Sequence, residues 1–170
     1  MAVLSQMLSI YSSALTSTNY IDAICKHVEN STSFMQMLNA YPPAVSANDL
    51  FSLANVVINL GISYANNTGG FAAETAKKEP VKLYLKEQFC RSCRQEYDGI
   101  QLYLIMARGE LKESPMGANY DIFRCTDLTL SVKDLVGGNR DNASKTLMEV
   151  TSQMERLIYF ASGATIALGG

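Results

Sequence analysis

Apolar residues recur along nearly the whole chain at steps of three and four, and this periodicity constrains the fold more than any other feature. Such spacing places apolar side chains on one face of an α-helix. No run alternates polar and apolar residues for long enough to predict a β-strand. We therefore expect an all-α protein, an antiparallel up-and-down four-helix bundle with an N-terminal helical hairpin extension.

The 170 residues are enough for one structural domain. We assign residues 1–43 to the hairpin extension and residues 44–170 to the bundle. Within 1–16 an apolar stripe predicts a helix. Residues 20–41 predict two short helices with a polar interruption at 30–33, and Pro42 and Pro43 end them because neither can donate the backbone bond of a continuing helix.

Turn-forming residues divide the remainder into four predicted helices. The first follows a capping-box-like pair, Ser46 and Asp49, and the Asn and Gly residues at 66–70 weaken or break it. The second runs from Pro80 to about Lys112 and carries the longest inward stripe. The third covers residues 120–136, with four inward side chains, Phe123, Leu128, Val132 and Leu135. The fourth begins at a cap on Asn142.

Side chains suited to catalysis are few, and we predict that the chain is not an enzyme. His27 is the only histidine, the carboxylates are scattered, and the glycines lie in turns without the order of a phosphate-binding loop. Cys90 and Cys93 form a C-x-x-C spacing, but a zinc site would need further ligands from Cys25, Cys125 or His27. We expect no metal and no cofactor.

Charge and hydropathy exclude two classes of partner. The formal net charge is −2, so no basic field favours nucleic acid. No apolar run approaches the roughly 18 residues that a membrane span needs. The N-terminus lacks a basic start followed by an uninterrupted apolar stretch, so no signal peptide is visible in this chain.

Five segments, in this order and spacing, resemble a known family. They are Ile21–Cys25, Phe34–Leu38, Ser46–Leu50, Cys93–Tyr97 and Val132–Leu135. Together they are similar to the cysteine and helix-entry motifs of the plant inhibitors of invertase and pectin methylesterase. The resemblance covers the chain from about residue 19 to residue 168. It implies a four-helix bundle with a helical hairpin.

The resemblance also implies a function. These proteins inhibit a carbohydrate-active enzyme by docking on its active site, so the expected partner is an invertase or a pectin methylesterase in a 1:1 complex. The turn that corresponds to the invertase-binding turn of the family contains Pro115, Met116, Gly117 and Asn119, which become the expected target-binding residues. The family carries Lys and Phe where this chain has Met116 and Gly117. The expected location is the cell wall or the vacuole, and the expected state is a monomer or weak dimer.

The resemblance implies two disulfides formed by four cysteines. In this chain Phe34 and Val132 replace one cysteine of each pair, so neither of the family's disulfides can form. Cys125 lies seven residues from position 132, roughly 10 Å along a helix, which is too far to replace it opposite Cys93. We therefore expect no disulfide. Two alternatives remain open: an inhibitor-like interaction or regulatory protein without inhibitory activity, and a small-ligand or metal carrier.

Overall fold

The computed structural model describes residues 19–28, 31–78 and 88–170, and all regular secondary structure in these ranges is helical. The protein is therefore all-α, as the apolar periodicity predicts. The helix predicted within 1–16 and the helix start predicted at Pro80 lie outside the described residues.

A helical segment at 19–25 precedes six α-helices in the described chain. A π-helical segment, Gln88–Cys93, leads directly into α4. The six helices are α1 Ser31–Ala40, α2 Pro42–Val45, α3 Leu50–Lys78, α4 Arg94–Glu110, α5 Pro115–Gly137 and α6 Asn142–Ala167.

Helix α3 continues to Lys78, so the predicted break at 66–70 is wrong. Glycine costs about 1 kcal/mol in a helix interior, but tertiary packing outweighs that cost here. A Cβ atom on Gly69 would lie 3.3 Å from the Cβ of Tyr97, so the glycine lets α4 approach closely. Thr68 and Ala72 beside it are buried.

The helix starts also differ from those predicted. Asp49, rather than Ser46, caps α3, because its Oδ1 accepts a hydrogen bond from the Ser52 amide at 2.6 Å. Asp141, rather than Asn142, caps α6. Helix α5 begins at Pro115, five residues before the predicted start, since Pro is favoured in the first turn of a helix.

The four long helices, α3 to α6, pack in chain order: α3 contacts α4, α4 contacts α5, α5 contacts α6, and α6 returns to α3. The inward stripe predicted for the second bundle helix is confirmed from residue 93 onward, because Cys93, Tyr97, Ile100, Leu104, Ala107 and Leu111 are all buried. Its first two predicted members, Leu85 and Phe89, are not among the residues whose burial the structure describes. Arg108 on α4 donates to Asn59 on α3, and Ser131 on α5 donates to Glu96 on α4.

Residues N-terminal to α3 pack on α6. The ring of Phe34 in α1 stacks on Phe160 with centroids 3.6 Å apart. A Cβ atom on Gly163 would lie only 2.5 Å from Val28 Cγ2 and 3.3 Å from the Ile24 carbonyl oxygen. Glycine at this position therefore lets the 19–28 segment lie directly on the helix.

Candidate interaction surface

The turn that the sequence singled out lies at the start of α5. Ser114 caps the helix, its Oγ accepting from the Gly117 amide at 3.1 Å. Pro115 occupies the first turn, and Met116 projects outward with 71% of its surface exposed. A Cβ on Gly117 would lie 2.6 Å from Glu110 Oε2, so this residue is packed against the end of α4.

The Asn119 side chain points towards α6, and its carbonyl oxygen already accepts hydrogen bonds within the protein. Its Oδ1 accepts hydrogen bonds from Ser162 Oγ at 2.8 Å and from Thr165 Oγ1 at 3.0 Å. Both bonds join α5 to α6. Of the four predicted target-binding residues, Met116 is therefore the one whose side chain is most available to a partner.

Large apolar side chains continue outward along α5 from Met116. Tyr120 is 66% exposed, Phe123 is 64% exposed and Leu130 is 50% exposed. Steps of four, three and seven residues place these side chains in one stripe. The prediction that Phe123 faces inward is wrong, and this residue belongs to the candidate surface instead.

The reason for this error is the composition of the face of α5 that is buried. That face mixes β-branched apolar side chains with small and polar ones, and it contains no aromatic residue: Ala118, Asp121, Ile122, Cys125, Thr129, Val132 and Val136. A helical stripe that includes Phe123 instead of Ile122 contains larger apolar side chains. Hydrophobicity alone therefore predicts that the stripe with Phe123 is the buried one.

Helix α4 extends the surface. Its Leu102 is 56% exposed and its Met106 is 41% exposed, one helical turn apart. The guanidinium carbon of Arg124 lies 4.5 Å from the ring centroid of Tyr103 on α4 and 5.9 Å from that of Tyr120. These cation–π contacts hold the arginine between the two helices.

We call this surface the α4/α5 face. It comprises Leu102, Tyr103, Met106, Met116, Tyr120, Phe123 and Arg124. Farther along α5 the outward positions turn acidic, because Asp127 and Asp134 flank Leu130 around a shallow depression. The α4/α5 face is thus apolar and aromatic with one cation, Arg124, and an acidic region lies beyond it along α5.

The buried thiols between α4 and α5 are not suited to nucleophilic chemistry. Burial, with a smaller effect of the Glu96 carboxylate, raises the pKa of Cys93 to about 12. Burial, with a smaller effect of Asp121, raises the pKa of Cys125 to about 12 as well. Both are free thiols and stay protonated at neutral pH. Cys125 Sγ lies 3.7 Å from the Ile100 carbonyl oxygen, two helical turns along α4 from Cys93.

A polar contact also crosses the core. The hydroxyls of Tyr97 on α4 and Thr151 on α6 lie 2.8 Å apart, and Thr151 donates to the Leu147 carbonyl oxygen. Tyr97 therefore donates to Thr151. Burial raises the pKa of Tyr97, outweighing the opposite effect of this hydrogen bond. The pair links helices and does not face a cleft.

Neither a metal-ligating cluster nor a membrane-spanning helix is present in the described chain. No group of three or more His, Cys, Asp or Glu side chains there is arranged to hold a metal ion. Among the same residues, no helix combines the length and the apolar character that crossing a bilayer requires. The most distinctive surface feature is therefore the α4/α5 face.

The sequence was also compared with known proteins. It matches no protein-family model, and no curated protein is significantly similar to it.

Proposed function

We propose that this chain is a non-catalytic binding protein, an antiparallel up-and-down four-helix bundle that docks on a partner protein through its α4/α5 face. The closed order of helix contacts, α3 to α4 to α5 to α6 and back to α3, supports the bundle. The observation that carries the binding function is the exposure of Met116, Tyr120 and Phe123 in one stripe.

Such a stripe has the chemistry of a binding hot spot. Tyrosine, arginine and large apolar side chains are enriched at the centres of protein interfaces, where they fill pockets of the partner. The cation–π contacts of Arg124 with Tyr103 and Tyr120 reduce the freedom that these side chains lose on binding. Exposed apolar side chains that cluster on one face of a soluble protein are typical of interaction sites.

The partner that we propose is a carbohydrate-active enzyme, an invertase or a pectin methylesterase, because of the resemblance to the inhibitors of these enzymes. Inhibition would follow from steric occlusion of the active site in a 1:1 complex. Two helices contribute to the α4/α5 face. We therefore propose that the protein covers the active-site cleft of its target with this face, and does not act through insertion of the short turn at 115–117 alone.

A direct test measures inhibition of a vacuolar invertase, a cell-wall invertase and a pectin methylesterase by the purified protein. We expect inhibition of one of them, with a 1:1 complex by size-exclusion chromatography. The double variant Tyr120→Ser with Phe123→Ser should weaken the complex by about 100-fold or more, since interface hot spots contribute about 2 kcal/mol or more each.

The matched control is the double variant Phe51→Ser with Phe71→Ser. These aromatic residues are 37% and 38% exposed on α3, which packs against α4 and α6 on the far side from α5. Helicity by circular dichroism should be unchanged in both double variants. Equal loss of binding in the two would contradict a specific role for the α4/α5 face.

The second candidate function is binding without inhibition. It is favoured by Met116 and Gly117, which replace the Lys and Phe of the corresponding family turn. A 1:1 complex with one of the three enzymes that leaves its activity intact would establish this candidate. The absence of any complex with all three would remove the proposed class of partner.

A further inference from the structure

A second recessed feature lies on the other side of the protein, between α1 and the helices α3 and α6. It is a cleft of about 310 Å³ lined by Phe34, Met37, Leu60, Tyr64, Gln153, Arg156, Leu157 and Phe160. It shares no residue with the α4/α5 face. Its volume lies at the lower end of the range of about 300–1,000 Å³ for small-molecule sites.

The inner part of the cleft is apolar and well ordered by packing. Phe34 and Phe160 are almost fully buried and stack on each other, and Leu157 is buried beside them. Because the two rings cover each other's faces, the apolar surface that a ligand can reach comes from the more exposed lining residues Met37 and Leu60. A ligand with a small aromatic or aliphatic body would be desolvated there.

The rim is polar and carries one positive charge. Tyr64 Oη donates to Gln153 Oε1 at 2.7 Å and approaches the Val150 carbonyl oxygen at 3.1 Å, so the hydroxyl is held in place. Arg156 is the only charged residue among those that line the cleft. Its Nε atom makes one long hydrogen bond, 3.4 Å, to the Ser152 carbonyl oxygen.

The acidic residues nearest in sequence do not neutralise this arginine. Glu155 pairs with Lys133 instead. Glu149 borders a shallow depression beside Arg156, but no ion pair within 4 Å joins Arg156 to a carboxylate in the described ranges. The guanidinium therefore remains available to an anion, with donors in the fork geometry that suits a carboxylate.

From this arrangement we propose that the cleft binds a small amphipathic monocarboxylate, with its apolar body against Met37 and Leu60, the more exposed apolar residues of the lining, and its carboxylate at Arg156. The charge complementarity of a single guanidinium above an apolar floor is what selects this class of ligand. The site also joins α1 to α6, so a bound ligand would stabilise that junction.

The test uses two fluorinated probes of nearly the same shape, observed by ¹⁹F NMR. One is 4-fluorophenylacetate, and the other is the neutral 2-(4-fluorophenyl)ethanol. We expect saturable binding of one equivalent of the acid and binding of the alcohol at least about tenfold weaker, because a charged hydrogen-bonding partner is lost. Equal affinities for the two probes, or no saturable binding, would overturn the proposal.

Variants locate the site. Arg156→Gln should weaken the acid about tenfold or more and leave the alcohol unchanged. Arg140→Gln, which removes an exposed arginine between α5 and α6, should change neither. Met37→Trp should fill the cleft and abolish binding of both probes; Met37 is partly exposed, so the protein should tolerate the change. Unchanged acid binding in Arg156→Gln or in Met37→Trp would overturn the assignment.

A second copy of the chain is the competing occupant. If analytical ultracentrifugation shows self-association that Met37→Trp abolishes, and the acid does not compete with it, the cleft is a subunit interface and the proposal fails. None of these experiments involves an invertase or a pectin methylesterase. Their outcome is therefore independent of the function proposed for the α4/α5 face.

Discussion

Helices α5 and α6 lie side by side but distribute their large side chains in opposite ways. Helix α6 buries large residues, including Leu147, Met154, Leu157, Ile158 and Phe160. Helix α5 buries Ile122 but otherwise smaller or polar side chains, and it exposes Met116, Tyr120 and Phe123. Burial of apolar area stabilises a fold, so large exposed side chains on α5 contribute little to stability. Helix α6 therefore organises the core, whereas α5 presents a surface.

The strongest test of this comparison exchanges one aromatic residue on each helix for alanine. Phe160→Ala should lower the free energy of unfolding by about 3–5 kcal/mol, because a buried ring that stacks on Phe34 is lost. Phe123→Ala should change it by no more than about 0.5 kcal/mol, because Phe123 faces solvent. Denaturant unfolding followed by circular dichroism measures both. Comparable losses would mean that α5 and α6 do not differ in this way.

A smaller effect is expected at Gly163 on α6. Gly163→Ala places a Cβ 2.5 Å from Val28 Cγ2 and near a backbone oxygen, so the 19–28 segment must move. We expect a net destabilisation of about 1–3 kcal/mol and faster proteolysis near residues 19–28. Gly70→Ala is the matched control, since no atom lies within 4 Å of its added Cβ. It should stabilise the protein by about 0.5–1 kcal/mol. The same sign of effect in both variants would contradict the close packing at Gly163.

Asn119 lies on the side of α5 that packs against α6, away from the exposed stripe of Met116, Tyr120 and Phe123. Asn119→Ala removes the acceptor of hydrogen bonds from Ser162 and Thr165 on α6. We expect unfolding to become easier by about 1–2 kcal/mol, measured by denaturant titration. Binding of a partner to the α4/α5 face should be retained at temperatures where the variant is folded. Loss of binding with no loss of stability would instead support the prediction that Asn119 contacts a target.

The sequence predicts the parts of this fold in which burial and hydrophobicity agree. On α4, the residues from Cys93 to Leu111 that follow the helical period are both apolar and buried, so the stripe identifies the inner face without ambiguity. The all-α class follows from the same agreement repeated along the chain.

Prediction fails where packing between helices decides the outcome. Gly69 weakens a helix locally, yet the approach of Tyr97 requires a small residue at that position. Thr129 is polar but buried, with its hydroxyl donating to the Thr126 carbonyl oxygen. Thr129 shares the buried face with Ile122, two turns earlier, and Phe123 lies about 100° around the helix from Ile122. No local property of the sequence reveals this rotation. The turn at 115–117 was predicted as part of the candidate site, but the aromatic stripe that follows it was not.

The smallest expected effect concerns the start of α6 and also depends on pH. Asp141 Oδ1 accepts from the Ser144 amide at 2.8 Å, and Oδ2 accepts from the Ser144 hydroxyl at 2.7 Å. Burial alone would raise the pKa of Asp141, but the hydrogen bonds from Ser144 outweigh it and hold this pKa below its usual value. Asp141→Ala should lower the free energy of unfolding by about 1 kcal/mol at pH 7, because the cap is lost and Ser144 is buried without its acceptor.

The sign of the pH dependence follows from the direction of that shift. A carboxyl whose pKa is lower in the folded state than in the unfolded chain stabilises the fold above its unfolded pKa, near 3.9, and loses this contribution as pH falls through its folded pKa. The stability difference between the wild-type protein and Asp141→Ala should therefore shrink below about pH 4. Asp141→Asn keeps a capping oxygen without the charge, so its stability should lack this acid-dependent component. Urea titrations of the three proteins between neutral pH and pH 3 measure both effects, and a difference that grows on acidification would show that the charged cap does not stabilise α6.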